Sequence, residues 1–143
     1  MEETFDPLLL KNQLCFPLYA ASKALIRRYE PFLKPLSLTY TQYLVMLVLW
    51  DKGSCDVSEL GEALFLDSGT LSPLLNKLVA KGYLAKSRRG DGRYRDISLT
   101  EKGRDLREKA KDVPPSVGSC LRLEQVEAEE LYRLTYKLLE NVK

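Results

Sequence analysis

Asp67-Ser68-Gly69-Thr70-Leu71-Ser72-Pro73-Leu74-Leu75-Asn76-Lys77-Leu78, followed after Gly82 by Tyr83-Leu84-Ala85-Lys86-Ser87 and then by Arg88-Arg89-Gly90-Asp91-Gly92-Arg93-Tyr94-Arg95, is the stretch that decides the fold. Leu71, Leu74, Leu75 and Leu78 recur at i, i+3, i+4 and i+7, the stripe of a helix with one buried face. The turn at Asp67-Ser68-Gly69-Thr70 offers side-chain oxygens that can cap its start. Gly82 supplies its stop. Tyr83–Ser87 and Arg95–Leu99 then read as two strands joined by a glycine-containing arginine loop, a β-hairpin. Upstream, Asp56-Val57-Ser58-Glu59 resembles a capping box that opens a shorter helix with Leu60, Ala63 and Leu64 inside.

Outward from this unit the chain is helical. Leu8–Leu33 reads as one long helix, with Pro17 either in its first turn or kinking it, and with Pro31 and Pro35 at its end. Thr41–Trp50 is apolar nearly all round and therefore a buried helix. A further helix runs from Thr100 to about Asp112. Pro114–Ser119 reads as a linker, and Glu124–Val142 as a final amphipathic helix with Val126, Leu131, Leu134, Leu138 and Val142 on one stripe. The expected fold is mainly α with a small β-hairpin, a winged helix-turn-helix flanked by N- and C-terminal dimerisation helices. The chain forms a single domain over 1–143, with 37–112 the winged unit and 8–35 and 113–143 the dimerisation segments. Apolar stripes on both terminal segments must be buried somewhere, and a second copy is a common solution.

Composition narrows the function. The chain has 143 residues and a net charge of +2, and it contains no histidine. That excludes histidine acid–base chemistry, Ser-His triads and His-ligated metal sites. The three cysteines, Cys15, Cys55 and Cys120, lack metal-binding or C-x-x-C spacing. Neither a metal nor another cofactor is expected. The longest apolar run, Tyr43–Trp50, is far short of the ~20 residues of a membrane span. The acidic start shows no secretory pattern, so a cytoplasmic setting and no membrane partner are expected. Charge is unevenly placed: Lys81, Lys86, Arg88, Arg89, Arg93 and Arg95 are opposed only by Asp91 between Lys81 and Arg95. Such a patch on a nearly neutral chain is the footprint of phosphate binding.

These features converge on double-stranded DNA. The major groove admits one helix, whose N-terminal residues meet base edges. Ser68, Gly69, Thr70 and Pro73 occupy that end, and Asn76 and Lys77 lie one turn further. The arginines of the hairpin tip suit a narrow minor groove. An exposed helix face is often merely polar and a loop merely charged; the arginine hairpin directly after the helix favours the DNA reading. A dimer would match a pseudo-palindromic operator, one helix per half-site.

Asp91-Gly92-Arg93 with Ile97-Ser98-Leu99-Thr100 resembles the D-x-R…I-x-L-T wing signature of MarR-type transcription regulators. Leu66–Leu75 is similar to their recognition-helix segment. Asn12-Gln13-Leu14-Cys15-Phe16, Leu18-Tyr19-Ala20-Ala21-Ser22 and Leu38-Thr39-Tyr40-Thr41-Gln42-Tyr43 resemble one branch, the organic-hydroperoxide-sensing repressors. The resemblance covers nearly the whole chain. It implies that Asp91 braces the wing and that Arg93 enters the minor groove.

Cys15 lies near a helix start, where partial positive charge favours the thiolate that peroxides oxidise. A cysteine on an apolar helix face is otherwise ordinary core filling. Tyr19 is one turn away, whereas Tyr29 lies 14 residues on, ~21 Å along the axis, and cannot touch its own Cys15; an antiparallel first helix from a dimer partner could bring it to the other. The resemblance implies that Tyr29 and Tyr40 of one subunit face Cys15 of the other, with Tyr19 nearby. It also implies two ways of resolving the oxidised thiol. One is a disulfide with Cys120 across the dimer, favoured here because a linker cysteine has a flexible approach; the other is a small thiol. Cys55, in a turn, is expected to have no redox role. Three alternatives remain: a repressor released by a small aromatic ligand, a thiol peroxidase using Cys15 and Cys120, and an interaction module using the acidic final helix.

Overall fold

The computed structural model describes residues 4–88 and 95–143, for Arg95 the backbone only. The wing-tip residues Arg89, Asp91 and Arg93, singled out above, lie outside the described residues, as does the side chain of Arg95. The elements run α1 (Cys15–Leu33), α2 (Tyr40–Lys52), β1 (Ser54–Asp56), α3 (Val57–Leu64), α4 (Ser68–Ala80), β2 (Leu84–Arg88), β3 (Arg95–Leu99), α5 (Glu101–Ala110), α6 (Val113–Leu121) and α7 (Gln125–Val142). The winged helix-turn-helix order is the one expected.

Four features depart from the sequence reading. The first helix begins at Cys15 rather than Leu8; Leu10–Asn12 forms a separate 3-10 turn. Pro17 is therefore the third residue of α1, where its missing N–H has no intrahelical partner to lose. Pro31 lies inside α1 rather than ending it. The segment 114–119 is not a linker but most of α6, whose Val113 and Val117 are buried. Pro114 and Pro115 are tolerated because they sit in its first turn, and the valine pair at i, i+4 anchors it. The hairpin gains a third strand: β1 pairs antiparallel with β3, Cys55 opposite Ile97, giving the order β1-β3-β2. Cys55 thus lies in a strand, not a turn.

Caps fix the helix starts. The Thr39 hydroxyl accepts from the Gln42 N–H while the Gln42 side chain accepts from the Thr39 N–H, a full capping box. Asp56 and Asp67 accept from the N–H groups of Glu59 and Thr70, both at 2.7 Å. The core lies between α2, the two helices of the helix-turn-helix, and the sheet. Leu33, Val45, Met46, Leu49, Leu60, Leu71, Leu75, Leu78, Leu84 and Ile97 are almost fully buried. Each such side chain contributes about 1.5–3 kcal/mol on burial. Thus α4 is held by its leucine stripe, which leaves its opposite face to solvent.

The joint between sheet and α5 is close-packed. Trp50 Nε1 donates to Gly103 O at 2.9 Å and Thr100 Oγ1 donates to Gly82 O at 2.5 Å. Tyr83 Oη donates to Leu36 O at 2.9 Å, tying the end of α4 to the segment after α1. The terminal helices are different. On α1, Phe16, Leu18, Tyr19 and Ile26 are exposed, and α7 buries no residue at all, leaving Val126, Leu131, Leu134 and Leu138 uncovered.

Candidate nucleic-acid interface and cysteine site

The outward face of α4 carries Ser68, Gly69, Thr70, Pro73, Asn76 and Lys77, all exposed. Asp67 holds the start of this helix, and the Thr70 N–H bound to its carboxylate keeps that carboxyl below its ordinary range. The turn before it is tight. Phe65 adopts a left-handed conformation (φ 57°), and Leu66 N–H donates to Gly61 O at 3.0 Å. A Cβ at Gly61 would stand 2.8 Å from Leu66 O, so only glycine lets α3 and α4 approach this closely.

Beside α4 lies an open groove of about 1040 Å³, lined by Phe65, Ser68, Ser72 and Lys86 among others. Lys86, on β2, donates to Asn76 Oδ1 on α4. The wing strand and the recognition helix are thereby joined side chain to side chain. Lys86 counted above only toward the basic patch, and nothing local in the sequence marks it as the partner of Asn76. At the far end of α4, Lys81 Nζ donates to Ser37 O and, at 2.8 Å, to Gln42 Oε1. Burial, and then the Lys77 ammonium, push Lys81 below its ordinary value. Arg88 is exposed at the end of β2.

Cys15 is the first residue of α1 and is exposed; Cys120 is exposed in the last turn of α6, its thiol donating to Ser116 O at 3.4 Å. Cys55 is buried, and burial first, then the Glu59 carboxylate, push its thiol up, which disfavours the reactive anion. Tyr29 and Tyr40 lie together, ring centroids 4.8 Å apart. Tyr43, which the sequence reading left out, completes the cluster at 5.8 Å from Tyr29 and 6.4 Å from Tyr40. Its signal was its place three residues after Tyr40 on one helix. Burial, and then Tyr29, hold the hydroxyls of Tyr40 and Tyr43 above their ordinary value, so they remain donors at neutral pH. Tyr19 is exposed, with the Lys23 ammonium 4.7 Å above its ring. The tyrosine cluster is at the opposite end of α1 from Cys15. Likewise Ser116 lines a recess together with Pro31, ~24 Å along α1 from Cys15. Among the described residues, no group of three or more His, Cys, Asp or Glu is placed to hold a metal ion. No single described helix is long and apolar enough to cross a membrane.

The chain is 44% identical to the organic hydroperoxide resistance transcriptional regulator of Bacillus subtilis, over 99% of this chain and 97% of that one. The chain belongs to the MarR-type transcription regulators. The family model described as transcriptional regulator SarA/Rot matches residues 27–110. Among solved structures, reduced AbfR bound to DNA is similar at 34% identity, with a TM-score of 0.80 over 93% of this chain and 92% of that one. AbfR, a protein of Staphylococcus epidermidis, has also been solved in a disulfide form, which is similar at 37% identity and a TM-score of 0.66 over 91% and 92% of the two chains. As a MarR-type regulator the protein is not an enzyme, and the thiol-peroxidase alternative falls.

Proposed function

We propose that this MarR-type regulator is a cytoplasmic DNA-binding repressor that senses organic hydroperoxides through Cys15. The observation that carries this reading is an exposed cysteine at the first turn of α1, on a helix whose apolar face is uncovered, with the tyrosine hydroxyls gathered at the other end. Two copies packed through 8–35 and 113–143 with antiparallel first helices would bring Tyr29 and Tyr40 of one chain to Cys15 of the other. The α4 faces and wings would then meet successive half-sites of a pseudo-palindrome. On DNA, Ser68, Gly69, Thr70, Pro73, Asn76 and Lys77 occupy the major groove, and Arg88, Arg89, Arg93 and Arg95 serve the wing, with Asp91 bracing it.

The Cys15 thiolate attacks the distal peroxide oxygen; the O–O bond breaks, an alcohol leaves, and Cys15 becomes a sulfenic acid. The Cys120 thiol of the second copy then attacks that sulfur, releasing water and closing a disulfide. The position of Cys120 on a helix withdraws the flexible approach argued from a linker. Its exposure supports the pairing instead, and Cα atoms must come within about 7 Å for the bond to form. If the reduced cysteines stand further apart, α6 of one copy must shift relative to α1 of the other, which would turn the two α4 helices out of register with DNA. AbfR supports this reading, since it occurs in reduced DNA-bound and in disulfide forms.

A cavity of about 780 Å³ lined by Ile26, Pro31, Leu38, Tyr40, Lys34 and Lys81 favours a second reading, release by an aromatic acid. A gel shift on the protein's own promoter region, with and without cumene hydroperoxide, tests the first. Release that Cys15→Ser abolishes supports it. Release by hydroperoxide in that variant removes Cys15, and release by aromatic acids alone supports the second reading.

A further inference from the structure

We propose that the Tyr43 ring is a positioning group for the sensing reaction: Tyr29 and Tyr40 rest against it, and it thereby fixes where their hydroxyls stand for Cys15 of the other copy. The inference rests on the hydroperoxide-sensing reading above and adds to it a residue that acts without touching the thiol. Tyr29 and Tyr40 are only half-buried and belong to different helices, α1 and α2. Tyr43 is 3% exposed, with its ring 5.8 Å from that of Tyr29 and 6.4 Å from that of Tyr40. Both separations are those of packed aromatic pairs.

Tyr43 is held more firmly than the pair it supports. Its N–H donates to Thr39 O at 2.9 Å, in the turn that the Thr39–Gln42 capping box closes. Two turns further along α2, Trp50 meets the Tyr43 ring edge-on, with centroids 6.4 Å apart and planes at 66°. Trp50 is anchored in turn, its Nε1 donating to Gly103 O at 2.9 Å. Gly103 is packed so closely against Tyr83 that a Cβ would stand 2.2 Å from the Tyr83 backbone oxygen. Tyr43 is therefore the fixed member of the cluster, and Tyr29 and Tyr40 are the presented ones. A hydroxyl bonds a thiolate only when it is aimed, because a hydrogen bond weakens steeply as its angle closes. A smaller side chain at position 43 opens a space into which the neighbouring rings partly collapse, and their hydroxyls move with them.

The test compares wild type, Tyr29→Phe/Tyr40→Phe, Tyr43→Leu, Tyr43→Phe, the triple variant Tyr29→Phe/Tyr40→Phe/Tyr43→Leu, and a remote core truncation, Leu60→Ala. All are reduced full-chain dimers at one protomer concentration. Cumene hydroperoxide is added, remaining thiols are alkylated at intervals, and the loss of alkylatable Cys15 is followed by peptide mass spectrometry. Removing the hydroxyls of Tyr29 and Tyr40 should slow the reaction about tenfold or more, the worth of a hydrogen bond to a charged group. Tyr43→Leu keeps those hydroxyls but lets them drift, and should slow it at least about threefold, half of one such bond. Tyr43→Phe, which keeps the ring, should react as wild type does. The triple variant should match Tyr29→Phe/Tyr40→Phe within about twofold, since position 43 acts only through hydroxyls already gone. Leu60→Ala should lower stability and leave the rate unchanged. If Tyr43→Leu does not fold, Tyr43→Met, which fills more of the site, takes its place. The proposal is overturned if the folded Tyr43→Leu or Tyr43→Met dimer reacts as wild type does, or if Tyr43→Phe is as slow as Tyr43→Leu. It is overturned equally if Leu60→Ala is as slow, or if the triple variant is slower than the double by the full Tyr43→Leu factor. Should Tyr29→Phe/Tyr40→Phe react as wild type does, or Cys15 of folded wild type resist oxidation, the sensing reading itself fails in that part and takes this inference with it.

Discussion

Replacing Gly61 by alanine should loosen the helix-turn-helix from within. The new Cβ would lie 2.8 Å from Leu66 O and 3.3 Å from Leu71 Cδ1. The first of these is a backbone atom, in a turn already held by the Leu66–Gly61 hydrogen bond and by the left-handed Phe65, so it has little room to give. Alanine in a helix returns about 1 kcal/mol over glycine. Against this, overpacking costs about 1–3 kcal/mol, and weakening the Leu66–Gly61 bond costs about 0.5–1.5 kcal/mol. The net loss is about 2 kcal/mol, within a range of about 0.5–3.5. In urea unfolding, with a slope of about 2 kcal/mol per molar, that is a midpoint lowered by about 1 M. The reduced protein is compared at one protomer concentration, since association contributes to apparent stability. Promoter affinity should fall as well, because relief of the clash moves α4 away from α3. An unchanged or higher midpoint with wild-type promoter affinity would refute the packing argument.

Further expectations follow from the same geometry. Gly69→Ala meets only Asp67 Oδ1 at 3.5 Å, so stability should hold or rise slightly while promoter affinity drops about tenfold or more, if Gly69 approaches DNA closely; wild-type affinity would remove that close approach. Arg93→Ala should weaken promoter binding by about 1–3 kcal/mol with a shallower salt dependence and an unchanged unfolding midpoint; equal affinity at two salt concentrations would leave the wing a charged loop. Cys15→Ser should keep DNA binding and lose the hydroperoxide response, whereas oxidised wild type should run as a covalent dimer on non-reducing gels. Cys120→Ser should stop at the sulfenic acid or a mixed disulfide; a covalent dimer through Cys55 would contradict the pairing.

The local elements of the fold were legible because their causes are local. The leucine stripe of α4, the aspartate and threonine caps of α3, α4 and α5, and the glycine after α4 act within a few residues of one another. The arginine-rich stretch between two short strand signals likewise reads as a hairpin without knowledge of the rest of the chain. The candidate DNA face follows from the same periodicity, since residues that do not face the core face outward.

Where the sequence reading failed, the deciding contacts are distant. Three residues, Ser54–Asp56, carry no strand signal of their own and become a strand because β3 offers an unpaired edge. The 113–121 segment contains two prolines, a glycine and two serines, and reads as a linker by composition. It is a helix because Val113 and Val117 find a buried surface, with the prolines confined to the turn whose N–H groups need no partner. Periodicity, capping and turn chemistry thus determined which segments are helix and hairpin, and which faces point outward. Tertiary packing decided that Tyr43 joins Tyr29 and Tyr40, that Cys55 is buried while Cys15 and Cys120 are not, and that Lys86 reaches Asn76. Each depends on where a second element lies, a distance that side-chain spacing along one element does not contain.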